Sequence, residues 1–395
     1  MFSCTVENEI NEVLNKTLEG KSISRTEAVL LLKSENTHSI LQTAKSIRDR
    51  FKPGPITYSP KVFINLINLC RDTCSYCTYK KEPTDESLSM MSRDQVLSIA
   101  QSGKMTRCTE ALIVTGERPE ARYSKAKEWL KSLGHSSIVD YISEVSEMVL
   151  YKTGLLPHTN AGCLTKKEMS SLKDTNVSLG LMLESSSERL LGEGMPHEMA
   201  RSKNPKLRTK TIQSAGELKI PMTTGLLVGI GETPEEMIDS LFVIKEIQSK
   251  FGHLQEVIMQ NFSPKANTAM VKINRPSHSY FIKCVAVARL VMNNMNIQVP
   301  PNLNRGRLGD FIDAGINDWG GISPVTIDYV NPEHSWPDVE IVRSITLQKA
   351  HGLRARLPIY PEFLDKSLGF ISDGLRSFVD PLIDDAGLVK EHDQN

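Results

Sequence analysis

Three cysteines, Cys70, Cys74 and Cys77, fall within eight residues, with three and then two residues between them. Thiolates are ligands for soft metal centres. Three of them on one short loop can ligate three irons of a 4Fe-4S cube and leave the fourth iron open to an outside ligand. Structural zinc is the alternative, but it ordinarily takes four ligands as two separated pairs, and no second pair stands elsewhere in the chain. Cys4, Cys108, Cys163 and Cys284 are scattered singly, and the last three read as small buried apolar residues with no role. Seven cysteines in 395 residues are not a disulfide framework, so a reducing interior is expected. The start, MFSCTVENEI, has no basic stretch followed by an apolar one, and no segment is apolar for long enough to span a bilayer. The expected location is cytoplasmic. With 47 basic and 47 acidic residues the chain has no net field to draw in a phosphate backbone, which argues against a nucleic-acid partner.

The elements that must position this loop alternate in kind. Residues 1–55 read as a helical extension, with Val6, Ile10, Val13 and Leu14 on one face and Ser24 to Glu27 spaced as a capping box. Pro53-Gly54-Pro55 ends it. Strand-length apolar runs then alternate with helical stretches: 61–69, 109–116, 155–162, 176–184, 222–230 and 254–262, with a further strand possible at 297–302. Near-continuous apolar strands separated by helices describe a parallel sheet covered on its outside. The fold class is α/β, a partial or full (βα) barrel over 56–330 with helical N- and C-terminal extensions. The C-terminal extension, 331–395, carries a helix near 338–352, a proline-rich extended piece and a peripheral helical tail. In such a barrel the cysteine loop follows the first strand and so lies on the face that carries catalysis.

Cys70-x3-Cys74-x-Tyr76-Cys77 resembles the signature of the radical S-adenosylmethionine (SAM) enzymes, including the aromatic residue before the last cysteine. The resemblance implies one 4Fe-4S cluster on Cys70, Cys74 and Cys77. It also implies that SAM is chelated to the open iron and that a reducing electron donor is needed to cleave SAM to methionine and a 5'-deoxyadenosyl radical. Thr115-Gly116-Glu117 resembles the element that binds the methionine amino group, with threonine for its first glycine. Gly225-x-Leu227-x-Gly229-x-x-Glu232 resembles the element packed near adenine. Glu184 resembles the carboxylate set against the ribose hydroxyls. Arg208 stands where relatives carry a cation for the methionine carboxylate, with Arg201 as its competitor and a surface charge as the plain alternative.

Further stretches, among them CRDTCSYCTYKK, LLPHTNAG, EGMPHEMARSKNP and DWGGISPVTIDYVNPEHSWP, are similar to the 7,8-didemethyl-8-hydroxy-5-deazariboflavin synthase family over roughly residues 56–365. That resemblance implies a partner: a companion radical SAM subunit joins a tyrosine-derived hydroxybenzyl fragment to ribitylaminouracil, and this chain closes the ring of the small-molecule adduct with release of ammonia. With one cysteine set, the chain should need its companion's product. His158 and Asn160 at the third strand's end, and Asn261 at the sixth, should face the substrate, His158 as a possible general base or a satisfied core histidine. Asn65 and Asp318 are weaker candidates, and Gly320-Gly321 reads as a turn, in either a lid or a structural loop. The competing readings are a tyrosine-cleaving companion, a cyclase of the futalosine pathway, a homologue that has lost its substrate, and a zinc-stabilised binding module without catalysis.

Overall fold

The computed structural model describes residues 2–391, and the side chains of residues 2–6, those of Cys4 and Val6 included, lie outside what it describes. Three helices come first: α1 (Phe2–Leu18), α2 (Arg25–Lys33) and α3 (Thr37–Phe51). Ser24 and Glu27 form the expected capping box, each side chain accepting from the other's backbone N–H, an arrangement that stabilises a helix start by about 1 kcal/mol.

Pro53 and Pro55 end the helical run, and eight strands follow: β1 (Ile56–Ile67), β2 (Glu110–Thr115), β3 (Leu156–Asn160), β4 (Ser178–Gly180), β5 (Met222–Val228), β6 (Leu254–Asn261), β7 (Ile297–Gln298) and β8 (Asp318–Ile322). Each pairs in parallel with the next, and β1 pairs with both β8 and β2, so the barrel is closed. The connecting helices are α4 (Arg93–Met105), α5 (Ser124–Ser132), α6 (Ile138–Thr153), α7 (Lys166–Leu172), α8 (Pro205–Glu217), α9 (Pro234–Phe251), α10 (His278–Val291) and α11 (Leu308–Asp313). They cover the strands' outer faces, as a parallel sheet requires. α10 is buried almost all round, from Phe281 to Val291, because α2 and α3 pack over its outer side. The N-terminal helices are thus a second cover for an unusually apolar crossover helix.

Two readings change. Asp318-Trp-Gly-Gly-Ile is the eighth strand, not a turn or lid; its glycines leave room for side chains from β1 and β7. The C-terminal segment is not wholly peripheral. After α12 (Val339–Gln348), β9 (Leu353–Ala355) pairs with the first residues of β1, below the point where β2 takes over that edge. The chain then carries Arg356 into the amino end of the barrel, where it binds Asp318 and Glu256. α13 (Asp373–Val379) closes a separate apolar cluster in which Leu357, Ile359 and Phe363 meet Leu150, Leu156 and Val177. None of the described helices is long and apolar enough to cross a membrane.

Candidate active site

A cavity of about 340 Å³ opens among the carboxyl ends of the strands and continues into the barrel. Cys70, Cys74 and Cys77 line it together. Their loop is pinned from below: Thr73 N–H donates to Met199 O at 2.9 Å and Ser75 N–H to Pro196 O at 2.9 Å. The Asp72 carboxylate accepts from the backbone N–H and the hydroxyl of Ser202. The backbone N–H of Glu117 donates to Cys70 Sγ at 3.2 Å. Burial pushes the Cys70 thiol up to about 11 and the Cys74 thiol higher still. Buried thiols of this kind hold their protons until a metal displaces them. Among the described residues no three His, Cys, Asp or Glu side chains gather around a single ion. A cube takes its three thiolates on three separate irons, and three thiols facing one cavity from one short loop fit that group.

The end of β2 turns at Thr115-Gly116-Glu117, all on the cavity wall. A methyl group at Gly116 would lie 1.9 Å from Leu69 O, so only glycine lets β2 pass the start of the cysteine loop this closely. The Glu117 carboxylate accepts from Cys163 N–H at 3.0 Å and stands 3.5 Å from Arg71; burial outweighs both and holds it above the usual carboxylate range. In β5, Leu227 reaches the cavity, while Gly225 leaves room for Ile258 and Met182, which line it. Gly229 and Glu232 do not line it. The Glu232 carboxylate accepts from the backbone N–H groups of Gly229 and Ile230 and fixes the turn after β5. The back of Gly229 is filled by Pro276.

Glu184 lies beyond the short β4, in a left-handed conformation (φ 66°), bridged to Leu226 of β5. Lys203 Nζ donates to its carboxylate at 2.5 Å. Burial would raise Glu184, but Lys203 and Arg208 outweigh it and hold the group below its ordinary value. Arg208, on α8, is buried and faces the cavity, whereas Arg201 is exposed and does not. Arg208 Nε donates to Met182 O at 2.7 Å and one terminal nitrogen to Ser202 O at 3.3 Å. Tyr76 lines the same wall, its hydroxyl 3.0 Å from His197 Nε2.

His158, Asn160 and Asn261 all reach the cavity. Asn261 Oδ1 accepts from Asn304 at 3.1 Å. His158 Nδ1 lies 2.6 Å from Ser178 Oγ, and Ser178 spends its own proton on Pro358 O at 2.5 Å. His158 is therefore protonated on Nδ1 and presents a lone pair on Nε2. Burial lowers its pKa to about 4, which makes it a neutral acceptor at physiological pH. Asn65 and Asp318 do not line the cavity; Asp318 is taken by Arg356, at 2.7 and 2.9 Å.

Sequence reasoning missed Lys203, one cation in a run of basic residues. It also missed Lys61, Glu110, Glu256, Gln298 and Arg356, which line the cavity's inner end. A signal was present for part of this set: Lys61 and Phe63, Glu110 and Leu112, and Glu256 and Ile258 are spaced by two, the spacing of one strand face.

Residues 64–244 match the Radical SAM superfamily. The 7,8-didemethyl-8-hydroxy-5-deazariboflavin synthase of Methanocaldococcus jannaschii is 44% identical over 344 residues, covering 87% of this chain and 94% of that one. The protein of the same name from Methanopyrus kandleri is 44% identical over 337 residues, 85% of this chain and all of that one. This chain belongs to the 7,8-didemethyl-8-hydroxy-5-deazariboflavin synthase family. The FO synthase of Streptomyces coelicolor is 39% identical over 98% of this chain, which spans 46% of that longer protein. The fold is similar to the FeFe-hydrogenase maturase HydG from Carboxydothermus hydrogenoformans, with a TM-score of 0.72 and 19% identity over 95% of this chain and 90% of that one. It is also similar to methylornithine synthase (PylB), with a TM-score of 0.68 and 16% identity over 86% of this chain and 97% of that one.

Proposed function

We propose that this chain catalyses the ring closure that forms 7,8-didemethyl-8-hydroxy-5-deazariboflavin, acting on a hydroxybenzyl adduct of ribitylaminouracil and releasing ammonia. The observation that carries this reading, beside family membership, is a single cavity with two ends. The three thiols and the motif residues of β2, Glu184 and Arg208 line one end, and a deep polar chamber forms the other.

Cys70, Cys74 and Cys77 would hold the 4Fe-4S cluster. Bound there, the cluster and SAM supply a hydrogen-abstracting 5'-deoxyadenosyl radical. The Thr115-Gly116-Glu117 turn would face the methionine amino group, Arg208 the methionine carboxylate, and Glu184, kept ionised by Lys203, the ribose hydroxyls. Gly225 and Leu227 would flank the adenine, and Tyr76 would close the wall beside it. His158, with its lone pair on Nε2 and its low basicity, would hold a substrate donor in place better than it would take a proton, and Asn160 and Asn261 would hold polar groups near it. The companion radical SAM subunit would supply the adduct.

The test is anaerobic. Iron and sulfide are reconstituted, the protein is reduced, and SAM is added with the companion's adduct. Deoxyadenosine is followed by mass spectrometry and deazaflavin by fluorescence, and both should rise together. Deoxyadenosine without deazaflavin would retain the radical enzyme and discard the substrate, leaving tyrosine and a futalosine-type ring as the next substrates to assay.

A further inference from the structure

We propose that the inner end of the cavity is a polyol subsite that takes the ribityl chain of the substrate, an inference that rests on the ring-closing reading. The strand register sets one polar residue from each strand side by side with a neighbour's, in four pairs within the barrel. Lys61 pairs with Glu110, His158 with Ser178, Thr223 with Glu256, and Gln298 with Asp318. Parallel barrels ordinarily fill these layers with branched aliphatic side chains. Here six of the eight residues line open space instead: Lys61, Glu110, His158, Thr223, Glu256 and Gln298.

Several of these groups are unspent. Among the described residues the Lys61 ammonium has no carboxylate within 4 Å and instead lies 5.6 and 5.4 Å from the Phe63 and Trp336 rings. Glu110 accepts from Ser59 through one oxygen, which leaves the other free. His158 Nε2 offers its lone pair, and the Gln298 amide has no protein partner among the described residues. Neighbouring backbone is cut away to admit them. A methyl group would lie 2.8 Å from His158 Nε2 at Gly180, 2.0 Å from Gln298 Nε2 at Gly320, and 2.2 Å from Lys61 Nζ at Gly321. A chamber with a free ammonium, a free carboxylate oxygen, a free imidazole lone pair and a free amide offers both donors and acceptors. That suits hydroxyl groups, each of which both gives and takes a hydrogen bond.

One step along the same strand faces, toward the cysteines, the wall changes character. Phe63, Leu112 and Val114 form an apolar cluster with Tyr79, and Cys77 packs against it. A molecule with a hydroxylated chain at one end and an aryl ring at the other fits in one direction only, chain inward and aryl ring toward the cysteine loop.

The subsite is tested with two adducts, one with the full ribityl chain and one with a hydroxyethyl chain, on reconstituted wild type and Glu110→Gln. Wild type should lose on the order of a hundredfold or more in kcat/KM on the short adduct, mostly through KM, because the chamber's polar groups are left unpaired. Glu110→Gln should lose about tenfold on the full adduct and little on the short one. Equal turnover of both adducts by wild type overturns the subsite, as does an equal loss by Glu110→Gln on both, which would mark a structural role. Wild type that cleaves SAM yet forms no deazaflavin from the full adduct overturns the ring-closing reading, and the subsite with it.

Discussion

Lys203 and Glu184 form a half-buried ion pair with 2.5 Å between Nζ and Oε1, at the wall that Cys74 and Arg208 share. Glu184 reaches it from a left-handed backbone conformation, so the carboxylate is fixed at both ends. Without the cation, burial acts unopposed by its strongest partner and raises the carboxyl toward its neutral form. A neutral carboxyl accepts fewer hydrogen bonds from a diol. Lys203→Met should therefore weaken SAM binding about tenfold near neutral pH, measured by calorimetry on the reconstituted protein. Because the variant's carboxyl has a raised pKa, the deficit should shrink as pH rises and the carboxylate reforms. Unchanged SAM affinity at every pH would remove Glu184 from the ribose contact.

The cysteines divide into two groups. Cys70→Ala, Cys74→Ala and Cys77→Ala should each bring cluster iron and deoxyadenosine formation close to zero. Cys108 is buried beside Thr106, away from the cavity. Cys108→Ala should keep the iron, the sulfide and nearly all activity, at a stability cost of about 1 kcal/mol for a lost buried atom. Full deoxyadenosine formation by Cys74→Ala would defeat the cluster assignment.

Arg208 and Arg201 are separated by burial. Arg208 lines the cavity and Arg201 faces solvent. Arg201→Ala should leave SAM affinity within about twofold, since an exposed charge contributes little. Arg208→Lys should weaken it about tenfold even though the charge is kept, because a point ammonium cannot replace the planar fork. Titration of SAM into each variant checks both, and equal effects would mean that Arg208 serves only to tie Met182 and Ser202 together.

The parts of this molecule that sequence disclosed share a property: their signal is local. The cysteine spacing, the Thr115-Gly116-Glu117 turn and the apolar runs of β1 to β6 each lie within about a dozen residues, where spacing and periodicity act. β8 was hidden because Gly320-Gly321, which ordinarily marks a turn, serves here to admit Lys61 and Gln298. Lys203 was hidden among Arg201, Lys206 and Lys210, because burial and not residue type distinguishes it. Arg356 was out of reach altogether. Its partner Glu256 stands 100 residues earlier, and no local pattern links the two.

That long-range contact yields the sharpest stability test. Arg356 holds Asp318 at 2.7 and 2.9 Å and Glu256 at 3.1 Å, all three buried, and Tyr360 donates to Glu256 at 2.8 Å from beneath the guanidinium. Glu256 already sits above the usual carboxylate range, because burial and then Asp318 outweigh what Arg356 contributes. Arg356→Met removes the one cation that pairs, among the described residues, with these two buried carboxylates, a change that costs about 3–5 kcal/mol. Glu256 then moves further up, so the folded variant binds protons more readily than its unfolded chain, and folding gains stability as pH falls. The variant's deficit in melting temperature against wild type should be largest near pH 8 and shrink toward about pH 5. A deficit of constant size across that range would assign Arg356 to packing at the barrel floor and not to charge.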